Sequence, residues 1–181
     1  TLEALASSPN LDCYRSYQIE PKEDAVGYDV YLLAEHRKTL VDYLGDNAMT
    51  QLTAVNLGMD LCSALIDLRA AGLLHRDVKP ANVLFRSVES ARGPQVVAMV
   101  GDLGLGKAMD MSSRLTMVGG TPTYVAPEQA QGEALDARAD QFSLAALGYY
   151  LLAGRQPFDH TTLAAAVDPA PPPPMGIGTP E

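Results

Sequence analysis

The sequence predicts an α+β fold in which a few short strands lead and a mostly helical part follows. Three observations predict it. Residues near the N-terminus form short aromatic and β-branched runs around a polar turn. A long apolar-periodic segment from Gln51 to Ala71 ends at Gly72. A second apolar segment, from about Asp140 to Ala153, ends at Gly154.

The first strand pair is expected at Cys13 to Tyr17 and Val30 to Ala34, joined by the turn Glu20-Pro21-Lys22-Glu23-Asp24. In the first long helix, apolar residues recur three and four apart at Leu52, Val55, Met59, Cys62 and Ile66. A second stripe runs Leu57, Leu61, Leu65, Leu68. Two stripes predict a helix buried on more than one side. Next, Val83-Leu84-Phe85 and Val96 to Val100 read as a strand pair across a loop from Arg86 to Gln95. The run Pro169 to Pro174 excludes regular helix and central sheet. It reads as a surface connector, with an SH3-type ligand as the rival.

The chain has 181 residues, 47% hydrophobic and 19% charged, which are globular values. Its net charge of −9 and lack of a basic stripe argue against a nucleic-acid partner. Cys13 and Cys62 have no metal-ligand spacing and form no disulfide framework, so two buried reduced thiols are expected. No apolar run approaches the roughly 18 residues that span a membrane. A cytoplasmic location is expected. Thr1 at the start, and a tail without a closing helix, lead us to expect a piece of a longer protein, whose other parts could carry a membrane anchor.

The informative window is His75-Arg76-Asp77-Val78-Lys79-Pro80-Ala81-Asn82, between a buried helix and a strand. Asp102-Leu103-Gly104 follows twenty residues past Asn82. Then come Gly120 to Glu128, containing Ala126-Pro127-Glu128, then Asp140 and Gly154-Arg155-Gln156-Pro157-Phe158. With these four motifs in order, the chain resembles the eukaryotic-type Ser/Thr protein kinase catalytic domains, bacterial in style and truncated at both ends. The resemblance implies a kinase-like two-lobe fold, with residues 1–35 as a partial small lobe and 36–181 as an incomplete large lobe. It implies transfer of the ATP γ-phosphate to Ser/Thr hydroxyls of a protein substrate, with ATP and Mg²⁺ as cofactors.

Phosphoryl transfer needs an oriented nucleophile and neutralised oxygen charge rather than covalent chemistry. Asp77 can accept or orient the substrate hydroxyl proton. Lys79 brings positive charge to the transferring phosphate and, in the family, goes with Ser/Thr specificity. Asn82 and Asp102 offer oxygens to Mg²⁺, a hard cation that takes few protein ligands. Outside these motifs an isolated Asp or Asn such as Asp77, Asn82 or Asp102 would be read as a turn residue. His75 is read as structural packing beneath the site, and His36 and His160 as ordinary surface histidines. Leu103 replaces the usual Phe and keeps the position apolar.

The resemblance extends to supporting residues. Residues 104–128 resemble an activation segment. Arg76 could pair with a phosphate on Thr116, or on Ser112 or Ser113; the alternative is an unmodified polar loop. Thr121 matches the threonine that bonds the catalytic Asp and Lys. Glu128 matches the glutamate whose arginine partner lies further on than this chain reaches. Asp140 matches a buried carboxylate that ties down the backbone at His75 and Arg76.

On the nucleotide side, Leu33 to His36 align with the gatekeeper and hinge. Ala34 is then a small gatekeeper, the backbone from Glu35 to Arg37 faces adenine, and Leu84 closes the pocket from below. No glycine precedes Gly27, and the one lysine before Leu33 is Lys22, in the turn. The phosphate-cradling loop and its lysine are therefore not in this stretch, and residues 1–181 alone are expected to be nearly inactive. Two rivals stand beside the kinase reading. A non-catalytic pseudokinase is one. A small-molecule phosphotransferase is the other, opposed by Lys79 and Ala126-Pro127-Glu128.

Overall fold

The computed structural model describes residues 5–22, 26–90, 93–103, 122–159 and 161–176. Its strands form two antiparallel hairpins, and its two long helices pack on each other. β1 (Ser16–Pro21) pairs with β2 (Tyr28–Leu33) in the register Ser16↔Leu33 to Pro21↔Tyr28. Both strands are exposed along their whole length. β1 thus runs later than expected and continues through Glu20 and Pro21. A hairpin wet on both faces needs no apolar alternation, so its polar residues mimic a turn in sequence. Pro21 is tolerated because it ends the strand.

β3 (Val83–Ser90) pairs with β4 (Gly93–Val100) from Val83↔Val100 to Ser90↔Gly93. The loop expected over Arg86 to Gln95 is therefore mostly ladder. Arg86 to Glu89 is half-exposed or exposed, and a backbone ladder tolerates polar side chains there. Two further segments join this sheet. Leu11 bridges Val100 in parallel, and Thr39 bridges Leu84 on the opposite side. This sheet is what brings distant parts of the chain to one place.

α1 (Leu40–Asp46) starts with a capping box. The Asp42 N–H donates to Thr39 Oγ1 at 3.2 Å, and the Thr39 N–H donates to Asp42 Oδ2 at 2.9 Å. The Thr39 N–H, and then the Thr39 hydroxyl, hold the Asp42 carboxyl below its ordinary pKa. α2 (Gln51–Ala70) ends where expected. Gly72 adopts φ +74, and the Leu73 N–H reaches back to the Leu68 carbonyl. α3 (Pro127–Gln131) opens on Pro127 and stops at Gly132. α4 (Ala137–Ala153) is capped by Asp136 and closed by Gly154 at φ +65. The short α5 (Leu163–Ala166) packs on α3.

The core joins Leu57, Leu61, Ala64 and Leu68 of α2 to Ala146, Leu147 and Leu151 of α4, with Val78, Val83 and Val100 beside them. Only one of the two α2 stripes is buried. Leu52, Val55, Met59 and Ile66 are exposed, as is Cys62. The helix rests on α4 and β4 along one side, and its other side has no partner among the described residues. The expected pair of buried thiols is corrected accordingly. Cys62 faces solvent and Cys13 is half-buried. No described helix is long and apolar enough to cross a membrane. The proline run is irregular and mostly exposed, with Tyr149 Oη donating to the Pro173 carbonyl at 2.6 Å.

Candidate active site

The loop from His75 to Asn82 leaves the end of α2 and enters β3, so the core fixes both of its ends. Inside it, Lys79 Nζ lies 3.0 Å from Asp77 Oδ2, in a partly solvated pair. Asn82 Nδ2 donates to the same Oδ2 at 3.1 Å and to the Asp77 backbone carbonyl at 2.8 Å. Two donors on one oxygen fix the plane of the Asp77 carboxylate. A 3₁₀ turn, Pro80–Asn82, makes the close return possible, with Pro80 at its first position.

Asp102 arrives from β4. The Gly101 N–H donates to the Asn82 carbonyl at 2.9 Å, so the two loops meet through backbone. His75 ties them a second time. The Asp77 N–H donates to His75 Nδ1 at 3.2 Å, which makes Nδ1 the acceptor. Nε2 then carries the hydrogen and donates to the Gly101 carbonyl at 2.9 Å. His75 is only 2% exposed. Asp102 itself sits at φ +53, a left-handed conformation that aspartate tolerates better than most residues. A Cβ at Gly101 would lie 2.5 Å from Leu84 Cδ1, so this close approach suits glycine.

Beneath the loop, Asp140 is 4% exposed. Its Oδ2 accepts the His75 N–H at 2.8 Å, and its Oδ1 accepts the Arg76 N–H at 2.7 Å. A buried carboxylate is tolerable only with such donors. Arg76 adopts φ +65, and its carbonyl accepts from Gln129 Nε2 at 2.8 Å. Ser143 Oγ donates to the Tyr124 carbonyl at 2.6 Å, which fastens the 3₁₀ turn Pro122–Tyr124 to α4. Burial pushes the Tyr124 phenol well above its ordinary pKa. Glu128 lies in the first turn of α3, where its charge suits the helix dipole. Leu103 packs half-buried against the core.

On the other side, Ala34 and Glu35 are exposed just past β2. Glu35 takes Arg15 at 2.5 Å and Arg37 at 2.7 Å, and the Arg15 bond is the main cause of its lowered pKa. Arg37 also pairs with Asp12 at 2.9 Å, both nearly buried. Leu84 lies on β3 between the Thr39 bridge and Gly101. The structure thus gathers Asp77, Lys79, Asn82, His75, Arg76 and Asp140 around one loop, with Asp102 and Leu84 beside it. Thr116, Ser112, Ser113, Thr121, Gly104 and His160 lie outside the described residues.

Sequence reasoning missed Tyr14, Asp12, Gln129 and Ser143. Tyr14 Oη donates to Asp102 Oδ1 at 3.4 Å. Burial, and then the Asp102 charge, raise the Tyr14 pKa. Proximity of Asp12 to Arg37, or of Gln129 to Arg76, has no signal in spacing, because each pair is far apart in sequence.

Residues 13–169 match the family model described as a protein kinase domain. The chain belongs to the protein kinase domain family. Its two hairpins and helical large part are the α+β kinase-like fold. Serine/threonine-protein kinase PknF of Mycobacterium tuberculosis is 44% identical over 115 residues, which is 60% of this chain and 24% of that protein. Serine/threonine-protein kinase Pkn1 of Myxococcus xanthus is 40% identical over 130 residues, 68% of this chain and 18% of that protein. Probable serine/threonine-protein kinase PknB of Corynebacterium glutamicum is 30% identical over 178 residues, 93% of this chain and 26% of that protein. The chain therefore spans about a quarter or less of these curated relatives. Kinase domains of this family use ATP and Mg²⁺ and act on proteins.

Among the described residues, no cluster of three or more His, Cys, Asp or Glu could cage a metal ion. The donor set nevertheless fits Mg²⁺. Both donor groups are hard oxygens, and Mg²⁺ typically takes one or two carboxylates and completes its shell with phosphate and water. Asn82 spends its Nδ2 on Asp77, which leaves its Oδ1 without a hydrogen bond among the described residues.

Proposed function

We propose that this domain is the catalytic part of an ATP-dependent protein serine/threonine kinase, with Asp77, Lys79, Asn82 and Asp102 as its working residues. The observation that carries the reading is the double hold of Lys79 and Asn82 on Asp77 Oδ2. An exposed aspartate in a turn has no use for two such donors. A residue that must present its carboxylate at a set angle does.

In this reading a Ser or Thr hydroxyl oxygen attacks the γ-phosphorus. The bond from the γ-phosphorus to the β–γ bridging oxygen breaks, and ADP leaves. Asp77 orients the hydroxyl and receives its proton as the new P–O bond forms. Lys79 places its ammonium against charge developing on the transferred phosphoryl oxygens. Asn82 and Asp102 would hold Mg²⁺, which when bound neutralises triphosphate oxygens. Ala34, the backbone from Glu35 to Arg37, and Leu84 would border adenine. Ion pairs from Arg37 to Asp12 and Glu35 keep that segment in place. Arg76, whose guanidinium has no hydrogen-bond partner among the described residues, would receive a phosphate on Thr116, Ser112 or Ser113. Thr121 would steady Asp77 and Lys79, and Glu128 would await an arginine. The division at residues 35 and 36 into two lobes, and a cytoplasmic location where ATP is supplied, belong to the same proposal.

The test uses the intact gene product with γ-labelled ATP, Mg²⁺ and a general protein substrate, followed by phosphoamino-acid analysis. Label on phosphoserine or phosphothreonine, lost in Asp77→Asn, is expected. Nucleotide binding without transfer would make the domain a pseudokinase, and label on small molecules alone would make it a small-molecule phosphotransferase.

A further inference from the structure

The side chain of Asp102 has one hydrogen-bond partner among the described residues, the hydroxyl of Tyr14, 88 positions earlier. The Asp102 backbone is well held, since Gly101 bonds both Asn82 and His75. Among the described residues, that loop gives its carboxylate no hydrogen bond. Its left-handed backbone makes the side-chain direction differ from that of an ordinary strand residue.

Tyr14 is delivered on an anchored arm. The Asp12 N–H donates to the Val100 carbonyl at 2.9 Å, and the Val100 N–H donates to the Asn10 carbonyl at 2.8 Å. Asn10 is buried, and its Nδ2 donates to the Ala98 carbonyl at 2.9 Å. Asp12 is paired with Arg37, and the Arg15 N–H donates to the Leu33 carbonyl at 2.7 Å. Tyr14 is therefore fixed on both flanks, by β4 before it and by β2 after it. A phenol on such an arm reaches Asp102 from outside the loops that carry Asp77 and Asn82.

We propose that Tyr14 is a positioning residue for the metal-binding carboxylate: its hydroxyl holds Asp102 Oδ1 and so presents Oδ2 to the divalent cation. The inference rests on the reading of Asp102 as a metal ligand. Carboxylates that bind metal are commonly oriented by an outer hydrogen bond, and removing such a partner typically weakens metal binding 10- to 100-fold. At 3.4 Å the bond is long for a hydroxyl on a carboxylate, which puts the expected effect at the lower end.

The experiment titrates Mn²⁺ into the intact protein with a non-hydrolysable ATP analogue and reads free Mn²⁺ by electron paramagnetic resonance. Tyr14→Phe keeps the ring and removes the hydroxyl. It should weaken Mn²⁺ binding about tenfold, raise the KM for Mg²⁺ in the transfer assay, and leave kcat at saturating Mg²⁺ and the metal-free Tm unchanged. Unchanged or tighter binding in Tyr14→Phe would overturn the proposal, even if Asp102→Asn abolishes binding. Unchanged binding in Asp102→Asn would instead remove the ligand reading itself and the proposal with it.

Discussion

The carboxylate of Asp140 accepts the backbone N–H of His75 at 2.8 Å across 65 positions of sequence. Its second oxygen takes the next N–H, that of Arg76. Helix α4 thereby sets the conformation of a loop that belongs to a different part of the chain. His75 then passes the constraint on to Gly101 and hence to Asp102. One buried carboxylate orders both loops of the site.

Asp140→Ala should therefore be costly. It strands two buried N–H donors that now have a charged acceptor. The loss should be about 3 kcal/mol, seen as a fall in Tm of about 6–12 °C for a domain of this size. Asp140→Asn should recover part of it, because an amide has one oxygen to offer where two are needed. An unchanged Tm in Asp140→Ala would contradict the role given to the carboxylate.

Lys79 and Asp77 should separate cleanly from stability. Their pair is partly solvated, so Lys79→Met should leave Tm nearly unchanged. Its effect belongs in the transfer step, where loss of one stabilising donor typically lowers kcat by about 10²–10³-fold. Steady-state kinetics on the intact protein check this, with KM for ATP moving far less than kcat.

The cap of α4 gives a pH prediction with a definite sign. The Arg138 side chain, and then its backbone N–H, hold Asp136 below its ordinary pKa of 3.8. The folded state thus favours the charged form, and its benefit is complete above that ordinary value. It is lost as pH falls through the lower folded value. Asp136→Ala should melt earlier than the parent at neutral pH, and the gap should close in acid. A gap that widens in acid would contradict this.

Thr39 joins the start of α1 to the edge of β3, through its capping box and its bridge to Leu84. Thr39→Ala should cost about 1 kcal/mol and Thr39→Ser much less. Denaturant unfolding would measure both.

The parts that sequence makes legible are those in which residue type dictates local geometry. The loop from His75 to Asn82 is one, because Asp77, Lys79 and Asn82 lie within five positions of one another and meet in one short turn. The ends of α2 and α4 are another, since Gly72 and Gly154 take conformations that other residues resist. What is illegible depends on what lies opposite. Leu52 and Val55 have the same apolarity as Leu57 and Leu61, and only the position of α4 decides which stripe is covered. The polar residues of β1 imitate a turn because both faces of the hairpin are wet. Tyr14 carries no signal at all, because its link to Asp102 depends on long-range pairing, of residues 10–12 with Val100 and of Arg15 with Leu33.

The central claim is spatial: Asn82 and Asp102 share a divalent cation beside Asp77. Anomalous diffraction from crystals of the intact protein, grown with Mn²⁺ and a non-hydrolysable ATP analogue, tests it directly. The account predicts a metal peak in direct contact with Asn82 Oδ1 and the Asp102 carboxylate, at about 2–2.3 Å. A peak bound elsewhere, or bound to phosphate alone with both side chains turned away, would contradict it.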